Sequence, residues 1–460
     1  MVCGSSAGVR RTRLGLAAGA AIVFALAAFL AHDGRPARRP AAPAALILAA
    51  PAGPAVTIAA DPVGLSIEYP LLVHDLGAGR CPPPAFVHAI TELGSPALRI
   101  GGDSQDKLAP AGTARAPGLS VLPARFWMQL GCLERETRIP VVVGLNVAWG
   151  NPAWAAAMAA GARTAVPRSR LSFELGNEPD IYGDPVEWWN GRELTANRMP
   201  WRTYLARVRA LAAVLGPGAR LEGPDLASGR WVARVPALAR TLHLQTLDAH
   251  FYPLDGCHDP SAATTALLSR QIQTKLDERV RLARDAHAAG LAAVISEANS
   301  ISCGGLPGAS DGPAAAVWAV RMILTALRDG FVSVRFHSSG GSYDPFVVTR
   351  GRVIARPLFA GLRAAAGLLR AGATLRAIPN ARSLDGVAIT ARDGARTFVL
   401  SNYGAAPTWV ALRAKAPVAV LRVAAGSASV SSVRLAAAAG SVRVELPPNS
   451  VDAISPVRGA

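Results

Sequence analysis

Two stretches decide the fold of this chain: FELGNEPDIY, residues 173–182, and VISEANS, residues 294–300. Each starts as a short apolar run of the kind found in a buried strand, and each run ends at a glutamate among asparagine and small residues. These glutamates are Glu178 and Glu297. Because the active residues of a (β/α)8 barrel sit at the C-terminal ends of its strands, we expect both carboxylates at one barrel mouth.

Around these stretches, eight strand-like apolar runs alternate with helical patterns. Continuous apolar strands alternating with helices indicate a parallel sheet covered on both faces, and eight repeats indicate a closed barrel. The predicted fold class is therefore α/β, with a (β/α)8 TIM barrel over residues 60–350. Helices are predicted, for example, over Trp201–Leu215 and over 262–289. The eight runs are 63–69, 97–100, 140–146, 171–175, 220–223, 246–250, 293–296 and 332–337.

The pattern changes after about residue 355 to short alternating runs separated by turn residues such as Asp393-Gly394. Short strands at this spacing predict a C-terminal β-sandwich domain over 356–460. The strand-like stretch 44–59 is predicted to cross over and join that sandwich. A chain of 460 residues suits a barrel of about 250 residues or more plus a smaller unit. The short alternating runs that predict the sandwich are 384–390, 396–401, 408–412, 418–423, 431–434, 441–445 and 451–454.

The N-terminal residues have the pattern of an export signal. Arg10, Arg11 and Arg13 precede an uncharged apolar run over 14–31, with Ala25-Leu26-Ala27 as a small-x-small cleavage site. Residues 1–31 are therefore predicted to be a signal peptide, or an uncleaved membrane anchor, since the run is just long enough to span. The Ala/Pro/Arg-rich residues 32–50 are predicted to be a linker. We expect an exported protein, periplasmic or extracellular, with membrane association through 14–31 as the open alternative.

Four cysteines follow the apolar run: Cys81, Cys132, Cys257 and Cys303. An even number in an oxidising compartment favours disulfides, of which three pairings are possible. If the loops that carry Cys257 and Cys303 rim one barrel mouth, these two pair, which leaves Cys81 with Cys132. The alternative is four free thiols. No metal site is predicted, because the sequence has neither a C-x-x-C motif nor paired histidine spacing.

The formal charge of +17 comes almost entirely from arginine. Such a balance can indicate a nucleic acid, an anionic polysaccharide or a membrane surface as partner. The basic residues are scattered rather than clustered with aromatic residues, so no nucleic-acid partner is predicted. An acidic sugar substrate fits the charge.

Polar or aromatic residues follow every predicted barrel strand, where a ligand would bind. They are Glu68, Tyr69, Asp103, Ser104, Gln105, Asn146, Trp149, Asn177, Glu178, Asp225, His250, Tyr252, Glu297, Asn299, His337 and Tyr343.

A pair of carboxyl groups is what cleavage of a glycosidic bond requires. One protonates the leaving oxygen, and the other stabilises or attacks the oxocarbenium-like carbon. Asn177 can donate to a sugar hydroxyl, and Tyr252 can hydrogen-bond the nucleophile and keep it ionised. The alternative for either Glu178 or Glu297 is a structural ion pair with an arginine.

Several neighbouring residues have two interpretations. Arg99 either anchors the nucleophile or pairs with an acid of the barrel core, and Glu174 is expected to be structural. His250 is either a structural hydrogen-bonding residue or a substrate contact. Trp149 and Trp154 either stack on sugar faces or cap the barrel.

Seven motifs in chain order resemble glycoside hydrolase family 79, the β-glucuronidase and heparanase family, within the clan of retaining (β/α)8 glycosidases. The resemblance covers about residues 60–460. The motifs are RIGGDSQD (99–106), FELGNEPD (173–180), DAHFYP (248–253), SEANS (296–300), SCGG (302–305), RFHSSGGSY (335–343) and LSNYGAAPTWVAL (400–412).

The resemblance implies that Glu178 is the acid/base and Glu297 the nucleophile, with net retention and carboxyl groups roughly 5–5.5 Å apart. It implies a β-glucuronidase that releases terminal β-linked glucuronic acid by double displacement and needs no metal or organic cofactor.

Substrate contacts are expected from seven residues. In this family the loop after the nucleophile often presents an aromatic hydroxyl, whereas loop 299–305 has no tyrosine, so backbone N–H groups of Gly304 and Gly305 are expected to hold a carboxylate. Asp103 stands where asparagine is common and can contact a ring hydroxyl only as an acceptor. The seven residues are Asp103, Ser104, Asn177, Tyr252, Gly304, Gly305 and Tyr343.

Three other functions remain open. The chain can be an endo-acting hydrolase of uronic-acid-containing polysaccharide, a retaining glycosidase acting on a neutral sugar, or a catalytically silent carbohydrate-binding protein. The presence of Asn177 and both glutamates argues against the silent protein. The expected partner is a β-glucuronide or a uronic-acid-containing glycan.

Overall fold

The computed structural model describes residues 45–94, 96–113, 119–182, 188–189, 192–193, 199–259, 264–381 and 383–457. The predicted signal or anchor over 1–31 and most of the predicted linker over 32–50 lie outside these residues. Within the described residues, none of the helices is both long enough and apolar enough to span a membrane.

The described residues contain many short strands and eleven α-helices. The strands are β1 (Leu46–Ile47), β2 (Ala52–Thr57), β3 (Val63–Ile67), β4 (Leu98–Ile100), β5 (Leu108–Ala109), β6 (Ser120–Val121), β7 (Val141–Gly144), β8 (Leu171–Glu174), β9 (Trp188–Trp189), β10 (Arg192–Glu193), β11 (Leu221–Glu222), β12 (Asp225–Leu226), β13 (Thr246–Phe251), β14 (Ala292–Ala298), β15 (Phe331–Ser338), β16 (Phe346–Thr349), β17 (Arg352–Ala355), β18 (Thr374–Ala381), β19 (Leu384–Thr390), β20 (Arg396–Asn402), β21 (Thr408–Arg413), β22 (Val418–Ala424), β23 (Ser431–Leu435), β24 (Ser441–Leu446) and β25 (Ser450–Pro456). The α-helices are α1 (Tyr69–Asp75), α2 (Pro84–Glu92), α3 (Phe126–Thr137), α4 (Pro152–Ala165), α5 (Trp201–Leu215), α6 (Val235–Leu242), α7 (Thr264–Leu268), α8 (Arg270–Thr274), α9 (Asp277–Ala288), α10 (Pro313–Arg328) and α11 (Pro357–Leu368).

Parallel strands form a barrel in the order β3, β4, β7, β8, β11 with β12, β13, β14 and β15, and β15 pairs back onto β3. The fifth position is divided, because β11 pairs with β8 whereas β12 pairs with β13. The strands are buried, as in β7, where all four residues of the sequence VVVG are inaccessible. The predicted (β/α)8 barrel is therefore confirmed, with its fifth strand formed by two short segments.

The helical stretch predicted over 262–289 differs from the structure. Its described part forms three short helices, α7, α8 and α9, rather than one. Ser269 ends the first of them and caps the second, because its side chain accepts a hydrogen bond from the Ile272 N–H. A serine inside a helical pattern therefore marks a helix boundary here.

A two-layer β-sandwich follows the barrel, as predicted for the fold class. Its larger sheet has the order β2, β18, β19, β20, β25, β22 and β23, and its smaller sheet the order β1, β21 and β24. Two early strands take part: β2 pairs with β18, and β1 pairs with β21. Leu46–Ile47, within the stretch predicted as a linker, is thus a strand of the small sheet.

Helix α10 lies between the barrel and the sandwich. Every residue from Ala314 to Leu327 is buried, as expected for a helix covered on all sides. The helix packs against β15 of the barrel and against β22 and β25 of the large sheet. One apolar core consequently runs from the barrel into the sandwich, and a second core fills the space between the two sheets.

Arg321 of α10 connects the two parts through its buried guanidinium group. Nη1 donates to the Leu268 carbonyl at 2.9 Å, and Nη2 donates to the Asn402 carbonyl at 2.8 Å. The group also stacks on Tyr403, with Cζ 3.9 Å from the ring centroid. A single side chain therefore satisfies backbone groups of the barrel and of the sandwich.

We expect Arg321→Ala to lower the free energy of unfolding by about 3 kcal/mol, because it leaves two buried carbonyls without a donor and opens a cavity. Urea denaturation followed by fluorescence and by far-UV circular dichroism measures this change. The control is Arg281→Ala, whose side chain is 88% exposed, with an expected change within about 0.5 kcal/mol. A loss below about 1 kcal/mol for Arg321→Ala would contradict the assigned role.

Candidate active site

The two strand-end glutamates lie close together at the barrel mouth. Glu178 follows β8 with a left-handed φ of 48°, and its side chain is 22% exposed, whereas Glu297 lies within β14 and is nearly buried. Nδ1 of His250 lies 2.8 Å from Oε1 of Glu178 and 3.8 Å from Oε1 of Glu297. These two oxygens are therefore no more than about 7 Å apart, a bound that includes the roughly 5–5.5 Å of retaining glycosidases.

Irregular strand pairing aims these side chains at the mouth. The register between β13 and β14 shifts between Ala249 and His250, so that His250 stands opposite Glu297. The pairing of β14 with β15 also shifts between Ile295 and Ala298. Such irregularities bend a strand locally and re-aim its side chains.

Arg99, at the centre of β4, is fully buried beneath the two glutamates. Its guanidinium donates to Oε2 of Glu297 at 2.6 Å, to Oε2 of Glu174 at 2.5 Å and to Oδ2 of Asp225 at 2.7 Å. It also donates to Oδ1 of Asn177 at 2.9 Å. Arg99 thus contacts Glu297 and pairs with the core acids Glu174 and Asp225 at the same time.

The surroundings of Glu297 favour its ionised form. Burial by itself raises the pKa of this carboxyl, but the positive charges of His250, His337 and Arg99 and the hydrogen bond from Tyr252 lower the pKa to about 2. The Tyr252 hydroxyl donates to Oε1 at 2.7 Å. Glu297 is therefore a carboxylate throughout the physiological pH range.

Tyr343 packs against the ring of Tyr252. The two rings pack with centroids 6.2 Å apart, and Tyr343 is only 3% exposed. Its hydroxyl lies 2.9 Å from Oγ of Ser339. The predicted substrate contact at Tyr343 is thus placed where it supports the Tyr252 ring.

At the ends of the first two barrel strands, Glu68 organises the predicted contacts Asp103 and Ser104. Its carboxylate accepts the backbone N–H of Asp103 at 3.0 Å and of Ser104 at 2.9 Å, as well as the Ser104 hydroxyl. Ser104 is buried and also accepts the Tyr69 N–H at 2.9 Å. By contrast, the Asp103 side chain is 63% exposed, and it accepts a hydrogen bond from Nδ2 of Asn177 at 3.2 Å. Of these two predicted contacts, Asp103 is the one that a ligand can reach.

The loop that carries Gly304 and Gly305 is held in an unusual backbone conformation. Cys303, Gly304 and Gly305 all have left-handed φ values, of 56°, 83° and 80°. The Gly304 carbonyl accepts the Tyr343 N–H at 3.3 Å, and a Cβ on Gly341 would meet that carbonyl at 2.3 Å. Close backbone contact with the loop after β15 therefore fixes this loop.

Both predicted disulfides are present. Cys257–Cys303 joins the loop after β13 to the loop after β14, next to the glycine pair. Cys81–Cys132 joins the segment before α2 to α3. The first bridge ties together two loops at the barrel mouth.

The two tryptophans after β7 differ in exposure. Trp154 is 7% exposed and packs with Ala109 and Leu119, so it forms part of the wall. Trp149 is 43% exposed and lies against Trp154, with ring centroids 5.8 Å apart. Only Trp149 presents an open aromatic face at this position.

Comparison with protein-family models and with curated proteins gives no match for this chain. Among solved structures, it is similar to a 4-O-α-L-rhamnosyl-β-D-glucuronidase from Fusarium oxysporum 12S, with a TM-score of 0.69, 18% identity and coverage of 90% of this chain and 100% of that one. It is also similar to the GH51 arabinofuranosidase of Xanthomonas axonopodis pv. citri, with a TM-score of 0.65, 15% identity, and coverage of 88% and 98%. A third is the catalytic domain of GH30 xylanase C from Talaromyces cellulolyticus, with a TM-score of 0.57, 10% identity, and coverage of 87% and 98%.

The chain has the fold of these glycoside hydrolases. The similarity includes the barrel and the β-rich C-terminal part, since it extends over nearly the whole length of each structure. The resemblance read from the sequence motifs agrees with these neighbours.

Sequence reasoning left the contacts of several site residues open. Asp225, His250 and His337 were marked by their positions at predicted strand ends, and Arg99 had two interpretations, but the partners of all four depend on how the barrel closes. His337 contacts Oε2 of Glu297 at 3.4 Å. No signal marked Ser66, in the middle of β3, whose hydroxyl accepts from Arg99 at 2.9 Å.

We expect Arg99→Met to lower the free energy of unfolding at pH 7 by about 3–5 kcal/mol, because it leaves three buried carboxyl groups without their cation. The pKa values of these groups would then exceed the unfolded values near 4, so the native state would bind more protons and stability would rise from pH 7 to pH 5. The rise should be larger than in the wild type, where burial already raises the pKa values of Asp103 to about 6 and of Asp106 to about 7, but Glu297 stays ionised until the pH falls towards about 2.

Urea denaturation at both pH values tests this, with Arg281→Met at an exposed position as the control. An Arg99→Met variant as stable as the wild type at pH 7 would show that the buried carboxyl groups do not need the guanidinium.

Proposed function

We propose that the chain is a retaining glycoside hydrolase in which Glu297 is the nucleophile and Glu178 the acid/base. The observation that carries the proposal is the contrast between the two carboxyl groups within about 7 Å. Glu297 is buried, ionised and held by Arg99 and Tyr252, whereas Glu178 is more exposed and is contacted by His250.

In the first step, Glu178 protonates the glycosidic oxygen while a carboxylate oxygen of Glu297 attacks the anomeric carbon and expels the aglycone. In the second step, Glu178 takes a proton from water, which displaces Glu297 and gives the same anomeric configuration. Arg99 and Tyr252 hold the attacking carboxylate in place, so little reorganisation is needed when charge develops. Carboxyl groups supply both roles, and neither step requires a metal or an organic cofactor.

The proposed substrate is a terminal β-linked glucuronic acid. Its carboxylate would lie against the backbone N–H groups of Cys303 and Gly304, because Ser302 and Gly305 donate theirs to carbonyls of the protein. The disulfide Cys257–Cys303 and the contact with Gly341 hold this loop in place. The similar Fusarium oxysporum structure is a glucuronidase in complex with Rha-GlcA, and the net charge of +17 favours an anionic ligand. The two disulfides support export to an oxidising compartment.

A neutral sugar is the second candidate substrate. Asp103 presents an exposed carboxylate at the mouth, and Glu68 lies directly behind it. These acceptors suit sugar hydroxyls and would repel a uronate placed at the ends of the first two strands.

Hydrolysis of aryl β-glycosides by the full chain tests the substrate class, with glucuronide, glucoside, galactoside and xyloside compared at equal concentration. Release from the glucuronide alone is the expected result. Release from a neutral glycoside would favour the second candidate, and cleavage confined to uronic-acid polymers would indicate an endo-acting enzyme. No cleavage of any of these would contradict the proposed function.

Glu178→Ala and Glu297→Ala are each expected to lower kcat by at least about 100-fold while the native fold, followed by circular dichroism, is retained. Azide distinguishes the two roles: it should give a β-glycosyl azide with Glu178→Ala, because it attacks the covalent intermediate, and an α-glycosyl azide with Glu297→Ala. Glu92→Ala, on the outer surface of α2, is the control and should retain the wild-type rate. The reverse pattern of azide products would exchange the two roles.

Tyr252→Phe is expected to move the acidic limb of the pH profile of kcat/KM to higher pH by about one unit. The variant loses a hydrogen bond that lowers the pKa of Glu297, so a higher pH is needed to ionise the nucleophile. Tyr343→Phe is the matched control, since that hydroxyl contacts Ser339 instead. An unmoved limb in Tyr252→Phe would remove Tyr252 from the ionisation of Glu297.

A further inference from the structure

His250 lies at the centre of the charged groups of the mouth. The ring is 2% exposed, and three carboxyl groups from three different strands face it. Nδ1 lies 2.8 Å from Oε1 of Glu178, Nε2 lies 3.4 Å from Oδ2 of Asp225, and Nδ1 lies 3.8 Å from Oε1 of Glu297. Arg99 binds both Asp225 and Glu297, and Nδ1 of His337 lies 3.4 Å from Oε2 of Glu297.

The Asp225 carboxylate fixes the proton on one nitrogen of this ring. Burial raises the pKa of Asp225, but the charge of Arg99 outweighs burial and keeps the pKa below its usual range. An ionised carboxylate favours a proton on the ring nitrogen that faces it. Nε2 forms no hydrogen bond within the described residues, so its 3.4 Å contact with Asp225 acts through charge rather than through a hydrogen bond.

When Nε2 carries a proton, one further proton lies between Nδ1 of His250 and the carboxyl group of Glu178. At 2.8 Å, the contact is either an imidazolium donating to a carboxylate or a carboxylic acid donating to a neutral imidazole. The total charge of the pair is zero in both forms. The other buried histidine, His337, differs because its Nδ1 lies 3.0 Å from the Ser66 hydroxyl and it faces Glu297 and Glu68.

We propose that His250 is a positioning residue that shares one proton with Glu178, so that the pair, and not Glu178 alone, stores the proton delivered to the leaving group. This inference rests on the proposed role of Glu178 as acid/base. It adds a proton store that Asp225 holds in one tautomer.

The proton balance closes over one catalytic cycle. The proton moves from Nδ1 to Glu178, which becomes a carboxylic acid beside a neutral imidazole. Glu178 then gives that proton to the glycosidic oxygen, and the pair carries one negative charge. In the second step Glu178 accepts a proton from the attacking water, and the pair returns to zero charge with the proton again shared with Nδ1.

Sharing should keep the proton on the pair at a higher pH than an isolated carboxyl group would. Burial lowers the pKa of His250, but Glu297, Asp225 and Glu178 together raise it well above the ordinary value of imidazole. The alkaline limb of the pH profile should therefore follow the loss of the proton that His250 and Glu178 share.

The kinetic test is His250→Gln assayed on β-glycosides of one sugar with different leaving groups. For the phenyl glycoside, whose leaving group needs protonation, we expect kcat/KM to fall by about 100-fold or more. For the dinitrophenyl glycoside, whose leaving group does not need protonation, we expect kcat/KM to fall by less than about 10-fold. The alkaline limb should move to lower pH by about one unit or more. His337→Gln is the matched control and should lower both rates by similar factors. Equal losses for the two leaving groups in His250→Gln, or an unmoved limb, would overturn the proposal.

A second measurement does not depend on activity. Long-range ¹H–¹⁵N correlation spectra of the full chain labelled at its eight histidines give the protonation of each ring nitrogen, and His250→Gln assigns the His250 signals. We expect Nε2 to stay protonated while Nδ1 titrates, and the Nδ1 titration to move to lower pH in Glu178→Gln. An identical titration in wild type and Glu178→Gln would refute the shared proton even if the enzyme is a glycosidase. The expected shift in a chain that cleaves no glycoside would instead refute the proposed function alone.

Discussion

The buried guanidinium of Arg99 is the interaction on which the site depends. One cation faces Glu174, Asp225 and Glu297, so it cannot neutralise all three charges. Burial raises the pKa of Glu174 well above its usual range despite the contact with Arg99, whereas Asp225 and Glu297 are held ionised. The barrel therefore combines one shared cation, one retained proton and the charge of nearby histidines to keep the buried Glu297 ionised.

The fold could be predicted because its signals are local and repeated. Buried strands such as β7 appear as apolar runs, and the eight runs alternate with helices, which leaves few arrangements other than a barrel. The division of residues 264–288 into three helices could not be predicted, because a serine inside a helix and a serine that caps one look alike in sequence. Ser269 acts as a cap only because the chain turns there to pass from α7 to α8.

The candidate site could be predicted in its positions but not in its contacts. Strand ends indicate which residues reach the mouth, and this signal included Glu178, Glu297, Asp103 and Tyr252. It does not indicate where a side chain points. Ser104 points towards Glu68 and bonds to it and to the Tyr69 N–H, so this strand-end serine fixes neighbouring residues of the protein. Such directions follow from pairing between strands that are far apart in the chain.

Two chemically identical side chains, Glu178 and Glu297, have different surroundings here, and the roles proposed for them follow from that difference. Arg99, His337 and a tyrosine hydroxyl face Glu297 and stabilise its negative charge, and His250 adds to this when its ring is protonated. Glu178 is approached by the single histidine His250, whose own proton is exchangeable, and it is open enough to meet a substrate. A carboxylate with fixed charge suits attack on carbon, and a carboxyl group beside an exchangeable proton suits transfer to oxygen. The arrangement of cations at the mouth, rather than the identity of either glutamate, thus gives a physical basis for the proposed division of labour.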